Sequence, residues 1–242
     1  MRSNLHKLVV AFALIVLSAC NGSEPAPNDG AEAMAPVVAS VETSPAITAP
    51  QVEQESDAFK IVMLGDSLTA GFGLPRSEAL PAEVERLLKS AGRSIDVINA
   101  GVSGDTSAGG LARYDWSVAS AEPDLLILAL GANDYLGGID PGQTKDNLTA
   151  IIERALSDEL EILLVSVSAR SSAASDPRAA VFADIYPDLA QTYDVALYSG
   201  LMEPIFDQPD LLLQDGLHPT AEGVRIIAPP LSVAIAEFLK ND

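Results

Sequence analysis

Short apolar runs alternate with segments of helical periodicity from residue 59 to near the end of the chain. Five runs predict β-strands at residues 59–64, 95–98, 125–130, 162–167 and 195–198. The third and fourth runs are almost continuously apolar, which is typical of parallel strands that helices cover on both faces. The alternation therefore predicts a doubly wound α/β fold around a central five-stranded parallel sheet.

Three segments place apolar residues three and four positions apart, as amphipathic helices do. The first covers residues 84–91 and is followed by Gly92, a residue typical of the position just after a helix. The second covers residues 148–156. The third covers residues 231–239, and we expect Pro229-Pro230 to open it, because proline fits the first turn of a helix.

The first nineteen residues have the pattern of an export signal. Arg2 and Lys7 precede an apolar run at residues 8–17, which is shorter than the roughly 20 residues that span a membrane. The sequence LSAC that ends at Cys20 resembles the processing box of bacterial lipoproteins. That resemblance implies cleavage before Cys20 and a diacylglyceryl group on its sulfur. The alternative is an unlipidated signal peptide in which Cys20 is incidental.

Residues 20–58 are predicted to form a disordered tether. From residue 21 onwards this stretch contains seven acidic residues, five prolines and no Lys, Arg or aromatic residue. Such a composition cannot bury enough apolar surface to offset its conformational entropy. We interpret the segment as a plain spacer, and residues 59–242 as the folded domain.

Charge and rare residue types exclude several kinds of protein. The net charge is −20, which makes nucleic acid an unsuitable partner. A single cysteine excludes an internal disulfide and any zinc site built on two thiolates, and no cluster of metal ligands is evident. Of the two histidines, His6 lies in the signal, so His218 is expected to be the only imidazole of the mature chain.

Polar and glycine-rich segments follow the predicted strands, where ligands bind in open α/β sheets. They supply a hydroxyl, backbone amides, a carboxamide, a carboxylate and an imidazole, the groups that acyl transfer through a serine requires. The segments are GDSLTAG at 65–71, NAGVSGDT at 99–106, GAND at 131–134 and DGLHP at 215–219.

The DGLHP segment predicts a turn that carries an acid–base pair. Pro219 favours an extended backbone at His218, and a turn can bring the Asp215 carboxylate to Nδ1 of that imidazole. Other polar residues receive structural interpretations: Asp66 as a local hydrogen-bond acceptor, and Asn99, Asp105 and Thr106 as a brace for the loop after the second strand.

Four sequence blocks, in this order, resemble those of the SGNH, or GDSL, hydrolase family, and in particular its bacterial multifunctional thioesterases, lysophospholipases and arylesterases. The blocks are GDSLTAGFG at 65–73, SGDTSAGG at 103–110, GAND at 131–134 and DGLHP at 215–219. The resemblance implies a flavodoxin-like, three-layer α/β/α sandwich and no cofactor. It implies Ser67 as nucleophile, His218 as general base and then general acid, and Asp215 as the residue that orients His218. The oxyanion hole would consist of the backbone amides of Ser67 and Gly104 and the side-chain amide of Asn133.

Two segments bear on substrate choice. Residues 169–177 stand where close relatives carry a proline, asparagine, tyrosine and glycine segment that lines the substrate pocket. Residues 135–138, which include Tyr135 and Leu136, resemble the mobile substrate-covering loop of the family. The glycines of this loop permit movement but also suit an ordinary turn, so both interpretations stay open.

The sequence therefore predicts an exported serine hydrolase, anchored by lipid to the membrane on the periplasmic side of a bacterial cell envelope. Its substrates would be aryl or alkyl esters, acyl thioesters or lysophospholipids. One alternative is an envelope carbohydrate O-acetylesterase or acetyltransferase, which would use the same Ser67 and His218. Another is a non-catalytic lipoprotein that binds a ligand. The sequence does not define an oligomeric state.

Overall fold

The computed structural model describes residues 58–166 and 176–240. Outside these ranges lie the predicted signal peptide, Cys20 and nearly all of the predicted tether. The last residue of the predicted strand 162–167 also lies outside them, as do residues 169–175 of the segment 169–177 that was considered for substrate choice. Among the described residues, no helix is both long enough and apolar enough to cross a membrane.

In the described ranges, a single parallel sheet of five strands forms the centre of the fold, as predicted. The spatial order is β2-β1-β3-β4-β5, and every neighbouring pair runs parallel. The strands are β1 (Phe59–Gly65), β2 (Ile95–Gly101), β3 (Leu125–Ala129), β4 (Glu161–Val165) and β5 (Ala196–Tyr198). Gly65 pairs with both Gly101 and Ala129, so β1, β2 and β3 end level with one another.

Helices cover both faces of the sheet. On one face α2 and α8 share a buried apolar core with Ile61 and Met63 of β1; on the other, α6 and α7 share a second core with Val62 and Leu64. This arrangement confirms the predicted three-layer architecture. The helices in the described ranges are α1 (Ser67–Ala70), α2 (Leu80–Ser90), α3 (Ser107–Ala112), α4 (Tyr114–Ser117), α5 (Ala132–Gly137), α6 (Pro141–Ser157), α7 (Pro177–Tyr193) and α8 (Ala221–Ala236).

The last helix begins earlier than the sequence predicted. It starts at Ala221, and the Thr220 side chain caps it by accepting a hydrogen bond from the Gly223 amide at 3.2 Å. Pro229 and Pro230 lie inside the helix on its exposed side. Proline disrupts backbone hydrogen bonds in a helix interior, but here the cap and a buried apolar stripe along α8 outweigh that loss. The prediction that the prolines open this helix was therefore wrong.

Candidate active site

Ser67 lies at the carboxyl edge of the sheet because β1 turns sharply into α1. Asp66 is the N-cap of α1, and its Oδ1 accepts a hydrogen bond from the Leu68 amide at 3.0 Å. Gly65 permits this turn to be tight, since a Cβ there would lie 2.0 Å from Oγ1 of Thr69. The first residue of the helix is thereby placed beside the ends of β2 and β3.

The structure brings Ser67, His218 and Asp215 into one chain of hydrogen bonds. Oγ of Ser67 lies 2.8 Å from Nε2 of His218, and Nδ1 of the same ring lies 2.7 Å from Oδ2 of Asp215. The other carboxylate oxygen of Asp215 accepts hydrogen bonds from the amides of Leu217 at 2.8 Å and His218 at 3.1 Å. This is the turn that the DGLHP segment predicted.

The charge of Asp215 is well stabilised. Its hydrogen bond from His218, followed by those from the Leu217 and His218 amides, lowers the pKa of Asp215 from 3.8 to about 2. The carboxylate is consequently ionised at any pH near neutrality. The ring of Phe72 packs on His218 with a centroid separation of 4.4 Å, which further restricts the imidazole.

The two other residues assigned to the oxyanion hole line the same cavity as Ser67 and His218. Gly104 adopts a φ of +83°, a conformation that strongly favours glycine, in the loop after β2. Nδ2 of Asn133 donates to the backbone oxygen of Asp105 at 2.8 Å, and lies 3.5 Å from Oδ2 of Asp66. Asn133 is therefore connected both to the Gly104 loop and to the residue before Ser67.

Asp66 is a buried carboxyl group next to this machinery. Only 2% of the residue is exposed, and burial raises its pKa from 3.8 to about 6, opposed by the Leu68 amide and by His218. Its bond from Leu68 agrees with the interpretation of Asp66 as a local acceptor.

Two buried ionisable residues behind the site, Asp134 and Arg113, were given no role in the sequence analysis. Asp134 is fully buried and accepts hydrogen bonds from the Ser107 amide at 2.8 Å, the Ser107 hydroxyl and the Thr144 hydroxyl at 3.1 Å. Arg113, 7% exposed, forms an ion pair with Asp105. The one available signal for Asp134 was its position next to Asn133, while Arg113 had none, because its partners are set by the folded chain.

A cavity of about 380 Å³ opens beside Ser67. Its far walls are mainly apolar and include Val165, Phe182, Leu201, Met202 and Phe206. Such a lining accommodates the hydrocarbon part of a ligand better than a strongly polar one.

The predicted substrate-loop residues also line this cavity. The Tyr135 hydroxyl donates to Oδ2 of Asp176 at 3.0 Å, and the Tyr135 ring contacts Phe182 edge-on at 5.3 Å. Leu136 is 59% exposed. Whether this loop gates the site stays a prediction. In the part of the chain that the structure describes, no group of three or more His, Cys, Asp or Glu side chains could hold a metal ion.

The chain is similar in sequence and structure to known esterases and thioesterases. The chain is 33% identical to an arylesterase of Vibrio mimicus over 74% of its own length and 90% of the relative's. It is also 33% identical to thioesterase 1/protease 1/lysophospholipase L1 of Escherichia coli K12, over 76% of this chain and 87% of that protein. The crystal structure of the psychrotrophic esterase EstA from Pseudoalteromonas sp. superposes with a TM-score of 0.70 at 28% identity, covering 76% of this chain and all of that one.

Fold and site together define a flavodoxin-like ester hydrolase. The model of the GDSL-like lipase/acylhydrolase family matches residues 63–226, and the chain belongs to that family. The resemblance based on the four sequence blocks is thereby confirmed.

Proposed function

We propose that this protein hydrolyses carboxylic esters and thioesters through an acyl-enzyme on Ser67. The observation that carries the proposal is the hydrogen-bonded chain from Ser67 through His218 to Asp215 at the mouth of an apolar cavity. A serine hydroxyl is a weak nucleophile until a base accepts its proton, and this chain supplies that base already oriented.

The residues divide the reaction between them. Nε2 of His218 accepts the Ser67 proton while Oγ attacks the carbonyl carbon, and Asp215 stabilises the resulting imidazolium. The imidazolium then protonates the departing alcohol or thiol, which leaves an acyl group on Ser67. Water, deprotonated by the same imidazole, attacks the acyl carbon. The bond from that carbon to Oγ of Ser67 then breaks, the acid leaves, and the imidazolium returns its proton to Oγ.

The oxyanion of each tetrahedral intermediate would accept hydrogen bonds from the backbone amides of Ser67 and Gly104 and from Nδ2 of Asn133. A carboxamide nitrogen carries two hydrogens. The 3.5 Å contact with Asp66 is at the outer limit of a hydrogen bond, so it can be exchanged for the oxyanion while the 2.8 Å bond to Asp105 persists.

The substrates proposed are aryl and alkyl esters, acyl thioesters and lysophospholipids. The apolar cavity walls support a hydrocarbon acyl or aryl group, and the names of the relatives, arylesterase and thioesterase 1/protease 1/lysophospholipase L1, point the same way. Acetylated sugars would present hydroxyl groups to these apolar walls and should be poorer substrates.

The test is the rate of Ser67→Ala on p-nitrophenyl esters. We expect hydrolysis to fall by about 10⁵–10⁶, with the far-ultraviolet circular dichroism spectrum unchanged. Ser120→Ala is the matched control, because this serine is exposed and its hydroxyl donates to the Trp116 carbonyl within the same surface segment. Hydrolysis by Ser67→Ala at the wild-type rate would contradict the assignment. A series of p-nitrophenyl and CoA esters, compared with acetylated sugars, then defines the substrate class.

We also propose that the enzyme lies on the periplasmic side of a bacterial envelope and is attached to the membrane through lipid on Cys20. The support for this proposal is the sequence of residues 1–20. Cys20→Ser should release the protein from the membrane fraction and prevent incorporation of labelled palmitate. The control Ser3→Ala, which keeps Cys20, should stay in the membrane fraction and incorporate the label. Continued labelling and sedimentation of Cys20→Ser with membranes would exclude the anchor.

A further inference from the structure

Arg113 connects three segments from a buried position. It lies at the junction of α3 and α4 with 7% of its surface exposed. Nε donates to Oδ2 of Asp105 at 2.6 Å, one terminal nitrogen donates to the Ser117 hydroxyl at 3.0 Å, and the other donates to the Gly65 carbonyl at 3.0 Å. Every nitrogen of the guanidinium is thus engaged.

Two of these partners adjoin the reacting groups. Gly65 ends β1, two residues before Ser67, and Asp105 directly follows Gly104. The backbone carbonyl of Asp105 in turn accepts the 2.8 Å hydrogen bond from Asn133. One guanidinium therefore connects the strand that precedes Ser67 with the loop of Gly104 and, through Asp105, with Asn133.

The surroundings are shaped to hold this ion pair. A Cβ at Gly109 would lie 1.8 Å from Oδ1 of Asp105, so glycine at this point of α3 leaves room for the carboxylate. Burying a charge is unfavourable, and apolar residues of similar volume often stabilise a fold as well or better. An ammonium group could not reproduce the planar fork that reaches Asp105 and Gly65 together. The pair is thus better explained by geometry than by stability.

We propose that Arg113 and Asp105 are positioning residues, which fix the Asn133 amide relative to Ser67 through the backbone carbonyl of Asp105. The inference rests on the proposed function, since it assigns a purpose to the donors of the oxyanion hole. Donors held in place stabilise the transition state more than the bound ester. Loss of the pair should consequently reduce kcat and leave KM nearly unchanged.

The first experiment compares Arg113→Lys, Arg113→Met and Asp105→Asn with the wild type on p-nitrophenyl butyrate. We expect kcat to fall about 10- to 100-fold and KM to change less than about twofold. Arg154→Met is the matched control: Arg154 also pairs with an aspartate, Asp115, but is 40% exposed and lies on α6 away from the cavity. Urea unfolding of each variant verifies that the assays contain folded protein, and Arg113→Lys and Asp105→Asn decide the question even where Arg113→Met does not fold.

A double-mutant cycle separates positioning from general support of the fold. If Arg113 acts through Asn133, Arg113→Lys should reduce kcat less than about threefold in an Asn133→Ala background, because the donor it orients is gone. The same fold reduction in both backgrounds, or unchanged kcat in folded single variants, would overturn the positioning role.

Ser67→Ala assayed in parallel distinguishes the two proposals. If Ser67→Ala is inactive while Arg113→Lys and Asp105→Asn retain wild-type kcat, the positioning role is overturned and the proposed function stands. If Ser67→Ala retains activity, the proposed function is overturned together with the role that depends on it.

Discussion

The two halves of the proposed catalytic site, the acid–base pair and the oxyanion donors, are held in contrasting ways. The acid–base half, Asp215 and His218, belongs to a turn whose hydrogen bonds are nearly all local: within residues 215–218, and from the Leu213 amide to the His218 carbonyl at 2.7 Å. The Asp215 side chain is 38% exposed. The oxyanion half instead depends on buried side chains that join distant segments, among them Arg113 and Asp134.

The difference follows from what each half must do. A general base has to accept a proton and then donate it, and a short turn next to solvent allows a water molecule and a leaving group to reach it. Oxyanion donors act only when their positions are fixed before the charge develops. Loops that follow separate strands are fixed by buried hydrogen bonds between segments. Substitutions in this half should therefore lower the free energy of unfolding more than substitutions in the acid–base half.

The largest effect should come from the exposed half. Asp215→Asn is expected to reduce kcat by about 10⁴, because the imidazole loses the carboxylate that selects its tautomer and stabilises its charge. The free energy of unfolding should change by less than about 1 kcal/mol, since the residue is partly exposed. Steady-state kinetics and urea unfolding measure the two quantities. Asp210→Asn, in the same loop and exposed, is the control; equal kcat values for the two variants would rule out the role of Asp215.

The Asn133 carboxamide tests the oxyanion half directly. Asn133→Ala should lower kcat by about 10²–10³ with little change in KM, as expected for a donor used mainly in the transition state. The measurement is a Michaelis–Menten series on p-nitrophenyl butyrate. An unchanged kcat would remove Asn133 from the hole.

Folding stability, unlike kcat, should depend more on the oxyanion half than on the acid–base half. Asp134→Ala should reduce the free energy of unfolding by about 3 kcal/mol, since buried donors on Ser107 and Thr144 lose their acceptor. Asp188→Ala, at an exposed aspartate paired with Lys145, should change it by less than about 0.5 kcal/mol. Urea denaturation provides both values. Similar losses for the two variants would show that the buried hydrogen bonds of Asp134 stabilise the fold no more than an exposed ion pair does.

A smaller effect concerns Asp66 and pH. Its folded-state pKa, about 6, lies above the ordinary 3.8, so the folded protein binds this proton more tightly than the unfolded chain. The resulting stabilisation is complete below pH 3.8 and is lost as the pH rises to 6. Asp66→Asn cannot titrate, and relative to the wild type it should gain about 2 kcal/mol of stability between pH 4 and pH 7. The measurement is the free energy of unfolding of both proteins at each pH. A constant difference between them over this range would contradict the claim that burial raises the pKa of Asp66.

Much of the fold could be predicted from the sequence, because strands covered on both faces require apolar runs and amphipathic helices require regular spacing. Each predicted strand exists, and Gly92 ends α2 with a φ of +82°, as expected for the residue after a helix. The start of α8 could not be predicted in the same way. Its prolines suggested a beginning, but the packing of Val224 and Ile227 against the rest of the domain requires an earlier start.

The site shows the same division between local and distant determinants. GDSL and DGLHP were informative because the geometry of their turns depends on neighbouring residues. The Arg113–Asp105 pair joins residues eight positions apart and also reaches Gly65, 48 positions away. Nothing in the local sequence of an arginine between two short helices indicates that it will be buried. Pairings of this kind are decided only when the strands assemble.

The direction of β1 separates residue 58 from the catalytic edge of the sheet. Residue 58 precedes β1 at the amino edge, about 23 Å along the strand from Gly65 at a rise of about 3.3 Å per residue. Residue 58 therefore lies at the edge of the sheet opposite to Ser67. A fusion partner or an immobilisation tag attached ahead of residue 58 should therefore leave access to the cavity unobstructed.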